Sequence, residues 1–391
     1  MTAIRQAGAS YSDLCGVRDW AATLAGYLPA EAAIDRCLWW EREDAGRLSF
    51  GTLAGLWRWH RELASLEEGS AVVWHYTVFT YGVRGIPVFA PMAAWWMRRS
   101  QATVVVLLHE FAHPRRGRGW RGYLFAATSR LVLAPVLWAS NGVIVTSDVR
   151  ARWLGTRRWL PRRPTVAITV SSTLPDIPDP PPARDRLEPT VGVFVSGSSP
   201  AHASVVTDAI ELLRRDGLQV RLVLFGGATE QARSGAQWRC AAATSHCEDA
   251  VDFTGRISES ELVATIRSLD VIVAPSVEGA TSTKTTIASA LANGAAVVAL
   301  SGPETWQAFV DEGALVVVNP LVRPLADALR PFLVSEAARR TQGERGAEFY
   351  RRRMSGEKTA SRILAFANCL TQGTVIPPSG PSDLADPTGS T

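Results

Sequence analysis

The sequence predicts an α/β protein with two doubly wound domains that face each other across a cleft. The chain has 391 residues, which suits two domains of ordinary size. Short β-branched apolar runs alternate with helical patterns in both halves, which is typical of buried parallel strands joined by helices. Between the halves, residues 171–182 contain five prolines and cannot continue a helix or a central strand.

These patterns set the predicted organisation of the chain. We expect a first domain over residues 1–171, a proline-rich linker over 172–189 and a second domain over 190–335. The tail, residues 372–391, is rich in Gly, Pro, Ser and Asp and is expected to be disordered. The predicted strands are residues 71–74, 103–108, 142–146 and 165–170 in the first domain, and 190–196, 220–225, 251–253, 271–274, 296–300 and 314–318 in the second. Residues 3–7 are a poor first strand because they are barely apolar.

Composition and motifs exclude several functional classes. A net charge of +4 is too mild for a nucleic-acid-binding domain, so no nucleic acid partner is expected. The five cysteines form no CxxC pair, so neither a disulfide framework nor a zinc site is indicated. No GxGxxG opens either domain, and GxxxxGK[ST], GxSxG and HExxH are absent. Residues 123–145 resemble a buried helix that runs into a strand more than a membrane span, and no secretory signal opens the chain, so we expect a cytoplasmic protein.

The most informative feature is Lys284, one of only two lysines in the chain. It lies in a polar loop that follows the apolar run 271–274 and precedes an alanine-rich helical stretch. Helix N-termini expose unpaired N–H groups and bind phosphate, and a lysine adds a point charge there. We interpret the loop as a clamp for a nucleoside diphosphate, although a solvated lysine in an ordinary strand–loop–helix would fit the same pattern. Its candidate ligand-binding residues are Glu278, Gly279, Ala280, Thr281, Ser282, Thr283, Lys284, Thr286 and Ser289.

Three further loops of the second domain follow predicted strands. Ligands in doubly wound sheets bind beyond the carboxyl ends of the strands, so these loops are expected at the same edge as Lys284. Small residues permit close approach of the backbone to phosphate. The candidate donor contacts are Ser196, Gly197 and Ser198 after the first strand, Gly226 after the second, and Gly255, Arg256 and Ile257 after the third.

In the first domain, polar and aromatic residues also follow predicted strands. His109 and Glu110 come directly after residues 103–108, and Arg115 lies in the glycine- and arginine-rich loop beyond them. His75 and Tyr76 follow residues 71–74 and would suit a wall that contacts a sugar or another acceptor. The same residues would also fit a satisfied core histidine, a buried aromatic cluster and a solvated arginine loop.

The chain resembles the GT-B glycosyltransferases, and more narrowly the retaining glycosyltransferase family 4. Residues 251–262 and 269–276 are similar to the run that leads to that family's donor loop, and residues 278–298 to a variant of the next motif. His109-Glu110 resembles the active-site histidine segment of the first domain, and residues 14–21, with Gly16 and Arg18, the first glycine loop. Residues 349–354 resemble the helical region that returns to the first domain, which implies that helices over 336–371 cross back.

The resemblance implies a metal-independent, retaining hexosyltransferase-like enzyme of biosynthesis. Its co-substrate would be a nucleotide-diphosphate sugar, with UDP or GDP as the expected nucleotide, and it would need no other cofactor and no metal. We expect Lys284 to stabilise the leaving diphosphate, Glu278 to contact sugar hydroxyls and His109 to assist at the sugar. The acceptor, a small molecule, natural product or saccharide, would lie near Gly16, Arg18, His75, Tyr76, Glu110 and Arg115.

Other interpretations stay open on the sequence alone. Ser289 stands where many family members carry a second glutamate, and residues 196–204 offer only His202 where many carry an Arg and a Lys. A non-catalytic nucleotide-binding protein or a sugar-nucleotide epimerase of the same fold would fit these departures. A homodimer is also compatible with the sequence. Residues 95–99 and 153–163 are rich in Trp and Arg, which would suit either peripheral contact with an anionic membrane or buried tryptophans beside solvated arginines.

Overall fold

The computed structural model describes residues 3–10, 15–29, 32, 37–42, 50–83, 86–110, 119–177, 188–195, 202–226 and 233–374. Contacts divide the chain into two compact units, one of residues 1–169 with 356–391 and one of residues 170–355. Both units are parallel six-stranded sheets covered by helices, so the predicted α/β class with two doubly wound sheets is confirmed. The predicted tail beyond residue 374 and linker residues 178–187 lie outside the described residues.

The first unit is built around a sheet of order β2-β1-β3-β4-β5-β6. Its elements are β1 (Ile4–Ser10), α1 (Gly16–Gly26), β2 (Leu38–Glu41), α2 (Phe50–Ala64), β3 (Ala71–Thr77), α3 (Ala90–Arg99), β4 (Thr103–Glu110), α4 (Gly119–Ala139), β5 (Gly142–Val145), α5 (Asp148–Gly155) and β6 (Thr165–Ala167). The order reverses between β1 and β3, because β2 lies to one side of β1 and β3 to the other. Such a reversal opens a crevice at the carboxyl ends of the strands.

The second unit repeats this plan with the order β12-β11-β10-β7-β8-β9. Its elements are β7 (Thr190–Val195), α6 (Ala203–Arg215), β8 (Arg221–Gly226), α7 (Arg233–Thr244), β9 (Val251–Gly255), α8 (Glu259–Ser268), β10 (Val271–Ala274), α9 (Thr285–Ala292), β11 (Val297–Leu300), α10 (Gln307–Asp311), β12 (Val316–Val318), α11 (Val322–Val334) and α12 (Glu336–Arg353). Here the order reverses between β7 and β10, so the loop that contains Lys284 follows a strand beside the reversal point.

The strand β1 explains why residues 3–7 are a weak sequence signal. All of its residues except Arg5 are buried, yet it contains Ala7, Gly8 and Ala9 in place of larger side chains. A Cβ built on Gly8 would lie 1.9 Å from the Trp39 ring of the neighbouring strand β2. The aromatic rings of β2 therefore fill the space that the small residues of β1 leave. Because of this packing, β1 is a buried central strand without a run of β-branched residues.

The two C-terminal helices belong to different units. Helix α12 packs against α9 in the second unit, whereas α13 (Gly356–Gln372) packs against α1 in the first. The Gly356 backbone touches the Tyr27 ring, since a Cβ there would lie 2.1 Å from it. Ser171, the last residue of the predicted first domain, and Ser172, the first residue of the predicted linker, are both buried and belong to the second unit, where Ser172 contacts α9 and α12.

Candidate functional site

The loop between β10 and α9 contains seven of the predicted site residues of the second unit, 278–284. The hydroxyls of Thr281 and Thr283 lie 2.7 Å apart, and the Thr283 amide donates to the Thr281 hydroxyl at 3.3 Å. Thr281 and Ser282 are buried, so the loop has a fixed interior. Lys284 is the N-cap residue of α9, and its side chain does not bond to the cap. Lys284 therefore stands at the start of a helix, whose first N–H groups have no partner within the helix itself.

Glu278 is the carboxylate that Lys284 contacts. The Lys284 Nζ lies 3.5 Å from Glu278 Oε2, and the Ser276 hydroxyl donates to the same oxygen at 2.6 Å. Burial alone would raise the pKa of Glu278, but the Ser276 hydroxyl and the Lys284 ammonium outweigh it and hold the pKa below its ordinary value. Glu278 is therefore ionised at neutral pH, and both side chains remain more than one-third exposed.

A second loop, residues 301–306 after β11, fixes the position of the loop between β10 and α9. The Glu304 amide donates to the Glu278 carbonyl and the Trp306 amide to the Ala280 carbonyl, each at 2.8 Å. Gly279 has a φ of +91°, and a Cβ there would lie 2.5 Å from the Gly302 nitrogen and 2.2 Å from Thr305 Oγ1. Only glycine fits a position with both constraints. Sequence reasoning missed Gly302 and Thr305, since nothing near them in sequence marks a contact with residue 279.

The close approach at Gly279 predicts a large loss of stability on substitution. Gly279→Ala should lower the free energy of unfolding by about 3 kcal/mol or more, because it combines a strained φ with a backbone clash. Gly217 is a matched control: its φ is +90°, and a Cβ built on it would have no other atom within 4 Å. Gly217→Ala should cost only about 1 to 2 kcal/mol for the positive φ. Equal urea midpoints for the two variants would show that the contact with Gly302 does not constrain the loop.

The remaining predicted residues of the second unit are distributed along the sheet edge. Gly226 and Gly255 end β8 and β9 with φ values of +110° and +66°. Arg256 is exposed and Ile257 half-buried. In the sheet, β8 is two strand spacings from β10 and β9 is three, roughly 10 and 14 Å, so the backbone at these strand ends lies apart from the Lys284 loop. Ser196, Gly197 and Ser198 lie outside the described residues.

Ser289 and Thr286 follow Lys284 along α9 and have different surroundings. Thr286 is half-buried in the first turn of α9. Ser289 is 5% exposed, and its hydroxyl lies 2.9 Å from that of Ser172. The Ser289 hydroxyl therefore points into the packing of α9 against residues 170–174 rather than toward an open surface.

In the first unit, His75 and His109 come together at the carboxyl ends of β3 and β4. The two rings are stacked with centroids 5.2 Å apart, and His75 Nδ1 lies 2.9 Å from His109 Nε2. Trp20 of α1 contacts both rings edge-on, with centroids 5.8 and 5.4 Å away. His75 is fully buried, whereas His109 is half-buried, so only His109 of the pair retains any exposed surface.

Gln6 of β1 completes a hydrogen-bonded chain with the two histidines. Its Oε1 lies 2.8 Å from His75 Nε2, and a carbonyl oxygen can only accept, so His75 donates from Nε2. His75 must then accept at Nδ1 from the Nε2–H of His109, which leaves His109 Nδ1 as the unprotonated nitrogen. Sequence reasoning missed Gln6, although a glutamine within a buried strand is a signal, because such a polar side chain needs a buried partner.

Burial keeps both histidines neutral, and nearby positive charge adds to the effect at His109. Burial lowers the pKa of His75 to about 3. Burial also lowers the pKa of His109 well below its ordinary value, and His75 and Arg150 add to the effect. The Arg150 guanidinium, from the first turn of α5, donates to the His109 carbonyl and to Thr146 Oγ1. The accessible imidazole is thus a neutral hydrogen-bond acceptor at pH 7.

The depressed pKa of His75 predicts acid sensitivity. A buried histidine that stays neutral contributes stability that is fully present above about pH 6.5 and is lost as the pH falls toward 3. From pH 7 to 5, His75 alone should cost about 2 kcal/mol of unfolding free energy. Urea denaturation at these two pH values should show a smaller loss for His75→Gln, which retains polar groups but does not titrate. An equal loss in both proteins would contradict the neutral buried imidazole.

The other predicted acceptor-side residues do not join this cluster. Tyr76 is fully buried on the opposite face of β3 from His75, where its ring stacks on Tyr81 at 5.6 Å. Arg18 forms an ion pair with Glu41 at 2.9 Å, Gly16 begins α1, and Glu110 is exposed at the end of β4. Arg115 lies outside the described residues. Among the described residues, no group of three or more His, Cys, Asp or Glu side chains is placed to hold a metal ion.

Comparison with known proteins finds a family model that matches the second unit. Residues 189–334 match the family model described as "Glycosyl transferases group 1". The second unit is therefore similar to a group 1 glycosyltransferase domain. No curated protein matches the chain in sequence.

Solved structures match the whole fold at low sequence identity. Sucrose-phosphate synthase from Thermosynechococcus elongatus is 17% identical, with 95% of this chain and 100% of that chain covered and a TM-score of 0.67. A Burkholderia xenovorans UDP-forming α,α-trehalose-phosphate synthase in complex with glucose-6-phosphate is 10% identical, over 93% and 99%, with a TM-score of 0.63. An E. coli structure described as trehalose-6-phosphate bound with UDP-2-fluoro glucose is 13% identical, over 96% and 100%, with a TM-score of 0.61. The predicted GT-B fold is confirmed.

Proposed function

We propose that this protein transfers a sugar from a nucleotide-diphosphate sugar to an acceptor hydroxyl, with retention of configuration and without a metal, as family 4 hexosyltransferases do. The observation that carries the proposal is Lys284 at the start of α9, in a braced loop beside the reversal point of a group 1 glycosyltransferase domain. Similar proteins bind UDP-2-fluoro glucose or glucose-6-phosphate, which supports a UDP-sugar donor, with GDP as the other candidate, and a sugar-like acceptor.

Lys284 and the first N–H groups of α9 would stabilise the leaving group. As the bond between the anomeric carbon and the diphosphate oxygen breaks, the electron pair stays on the oxygen and negative charge grows there. Fixed donors aimed at growing charge lower the barrier more than they stabilise the substrate. The ammonium and the helix start therefore supply the charge neutralisation that a divalent cation would otherwise give.

Glu278 has the properties of a sugar-binding carboxylate. It is ionised, it is half exposed, and Lys284 and Ser276 fix its position. An ionised carboxylate accepts hydrogen bonds from hydroxyl groups, and such charge-assisted bonds are stronger than neutral ones. We infer that Glu278 accepts from hydroxyls of the transferred sugar, while Lys284 offsets its repulsion of the diphosphate.

His109 would act in the same reaction as a neutral acceptor. Its Nδ1 is unprotonated because Gln6 and His75 orient the ring, and a sugar hydroxyl would donate to it. This bond strengthens as positive charge develops on the sugar ring. In a front-face displacement the acceptor hydroxyl adds to the face that the diphosphate leaves, and its proton passes to the departing phosphate oxygen.

One observation favours a second candidate, a nucleotide-binding protein without catalysis. The Ser289 hydroxyl is committed to Ser172, so the position where family members carry a second glutamate makes no polar contact with an open surface. Turnover separates the two functions, because a binding protein would not release free sugar or product from any donor. A sugar-nucleotide epimerase would instead yield a free sugar or an altered sugar nucleotide and no glycoside.

The direct test is a donor panel in the presence of excess EDTA. UDP, GDP, ADP and dTDP, with their glucose or mannose conjugates, are assayed for thermal stabilisation and for slow hydrolysis without acceptor. One nucleotide at 100-fold over its Kd should add about 2.7 kcal/mol of stability. EDTA should leave binding and hydrolysis unchanged, because the charge on the diphosphate is neutralised by Lys284. Loss of activity in EDTA with recovery on adding Mg²⁺ or Mn²⁺ would contradict that role.

A further inference from the structure

Helix α4 has an unusual exposed surface in the first unit. By length and composition it is the one described helix that is long and apolar enough to cross a membrane. One side packs into the core through residues such as Ala126, Leu133 and Val136. The outward side is equally apolar: the exposed fractions are 72% for Trp120, 40% for Leu124, 66% for Leu131 and 42% for Trp138.

These four outward side chains form one stripe along α4. Their spacings of four, seven and seven residues bring them onto one side of the helix, and the stripe extends over roughly 27 Å. A surface helix of a water-exposed protein normally presents polar residues there. A continuous exposed apolar patch of this size marks an interaction surface.

The neighbouring helix α3 extends the stripe with aromatic and cationic groups. Trp95, 52% exposed, stacks on Trp138 with ring centroids 6.5 Å apart. The Arg98 guanidinium lies over the Trp138 ring at 5.4 Å, and that of Arg99 over the Trp95 ring at 5.5 Å. We call the α4 stripe together with Trp95, Arg98 and Arg99 the α3–α4 face.

Charge determines which partner this face fits. Residues 119–163 contain eight arginines and a single acidic residue, Asp148. Arg121, Arg157, Arg158 and Arg162 are exposed, and a pocket beside α4 is lined by Arg130, Trp153, Arg157 and Trp159. Two copies joined through this face would bring like charges together, which disfavours a dimer. Tryptophans with arginines beside an apolar stripe suit the headgroup region of a lipid surface, and the excess positive charge suits anionic lipids.

We propose that the α3–α4 face docks on an anionic lipid surface, with α4 lying in the plane of the headgroups. The helix does not need to leave the unit to do this, since its inward side stays packed against α3 and β4. Apolar contact from the stripe and electrostatic attraction from the arginines both contribute. This docking is independent of the donor site, which lies in the second unit, so the proposed transferase activity and the lipid contact can fail separately.

Flotation of the full-length protein with vesicles tests the proposal. Vesicles of phosphatidylcholine with about 30 mol% phosphatidylglycerol should bind it, and pure phosphatidylcholine should bind it much less. Raising the salt to about 0.5 M should weaken binding because the attraction is screened. Leu131→Glu should weaken vesicle binding by about tenfold or more, since the substitution replaces an apolar contact with the lipid by a negative charge near anionic headgroups.

Leu321→Glu provides a matched control, because Leu321 is an exposed leucine of similar exposure in the second unit. It should bind vesicles as the wild type does, and both variants should keep the thermal stability of the wild type. Equal binding by Leu131→Glu and Leu321→Glu would overturn the proposal, as would equal binding to neutral and anionic vesicles. A wild-type dimer that ignores vesicles and dissociates in Leu131→Glu would instead assign the face to self-association.

Discussion

Replacing Lys284 with alanine should lower kcat/KM by about 10²-fold or more, the scale for removing one well-placed charge stabiliser. The variant should also bind nucleoside diphosphate much more weakly than the wild type while its affinity for the free nucleoside is unchanged. The reason is that, in the proposed site, the ammonium contacts the phosphates and not the base. Calorimetric titration with both ligands, paired with single-turnover rates, measures the two effects.

The chain provides the control for this experiment. Lys358 is the only other lysine, and it lies on α13 in the first unit. Lys358→Ala removes the same charge and should change neither affinity nor rate by more than about twofold, since the proposed phosphate contacts include no residue of α13. An equal loss of nucleoside and nucleoside diphosphate binding in Lys284→Ala would place the phosphates elsewhere.

Replacing His109 with alanine should have the opposite signature. Affinity for nucleoside diphosphate should stay within about threefold, because the proposed phosphate contacts lie in the second unit, whereas turnover should fall by about 10²-fold. His246→Asn is the control for loss of an imidazole, since His246 is exposed, and asparagine tolerates its φ of 59°. Loss of nucleoside diphosphate binding in folded His109→Ala would refute the division of roles between the two units.

The strands of the second unit could be predicted because each is a local pattern. All six predicted runs, from residues 190–196 to 314–318, overlap strands β7–β12. Buried parallel strands are apolar on both faces, so the signal in each is continuous and needs no knowledge of neighbours. The Lys284 loop could also be predicted locally, since a strand, a polar loop and a helix follow one another along the chain.

The first unit contains features that local sequence patterns did not predict. Strand β2 was not predicted, and the sequence signal for β1 is weak. The side chain of Trp39 on β2 fills the space beside Gly8 on β1. This complementarity between neighbouring strands depends on the tertiary structure and is not visible in a local sequence pattern. Gln6 and Arg150 contact the histidines although they are far from them in sequence, so local sequence patterns do not reveal these contacts. Tyr76 shows that closeness in sequence can also mislead. Adjacent residues of a strand point to opposite faces of the sheet, so only His75 of the two could contact His109.

The chain segments that enter and leave the second unit both lie beside α9, the helix whose N-cap is Lys284. The chain enters this unit at Val170, whose amide donates to the Ser282 carbonyl in the Lys284 loop, and Ser172 then contacts Ser289. The Ser172 amide also donates to the Tyr350 hydroxyl on α12, the helix that precedes the exit at Ser355. A ligand bound at the Lys284 loop would therefore act beside the entry segment and, through Ser172, beside the helix that precedes the exit. If the ligand changed those segments, thermodynamic reciprocity would require the segments to change the affinity for the ligand by the same free energy.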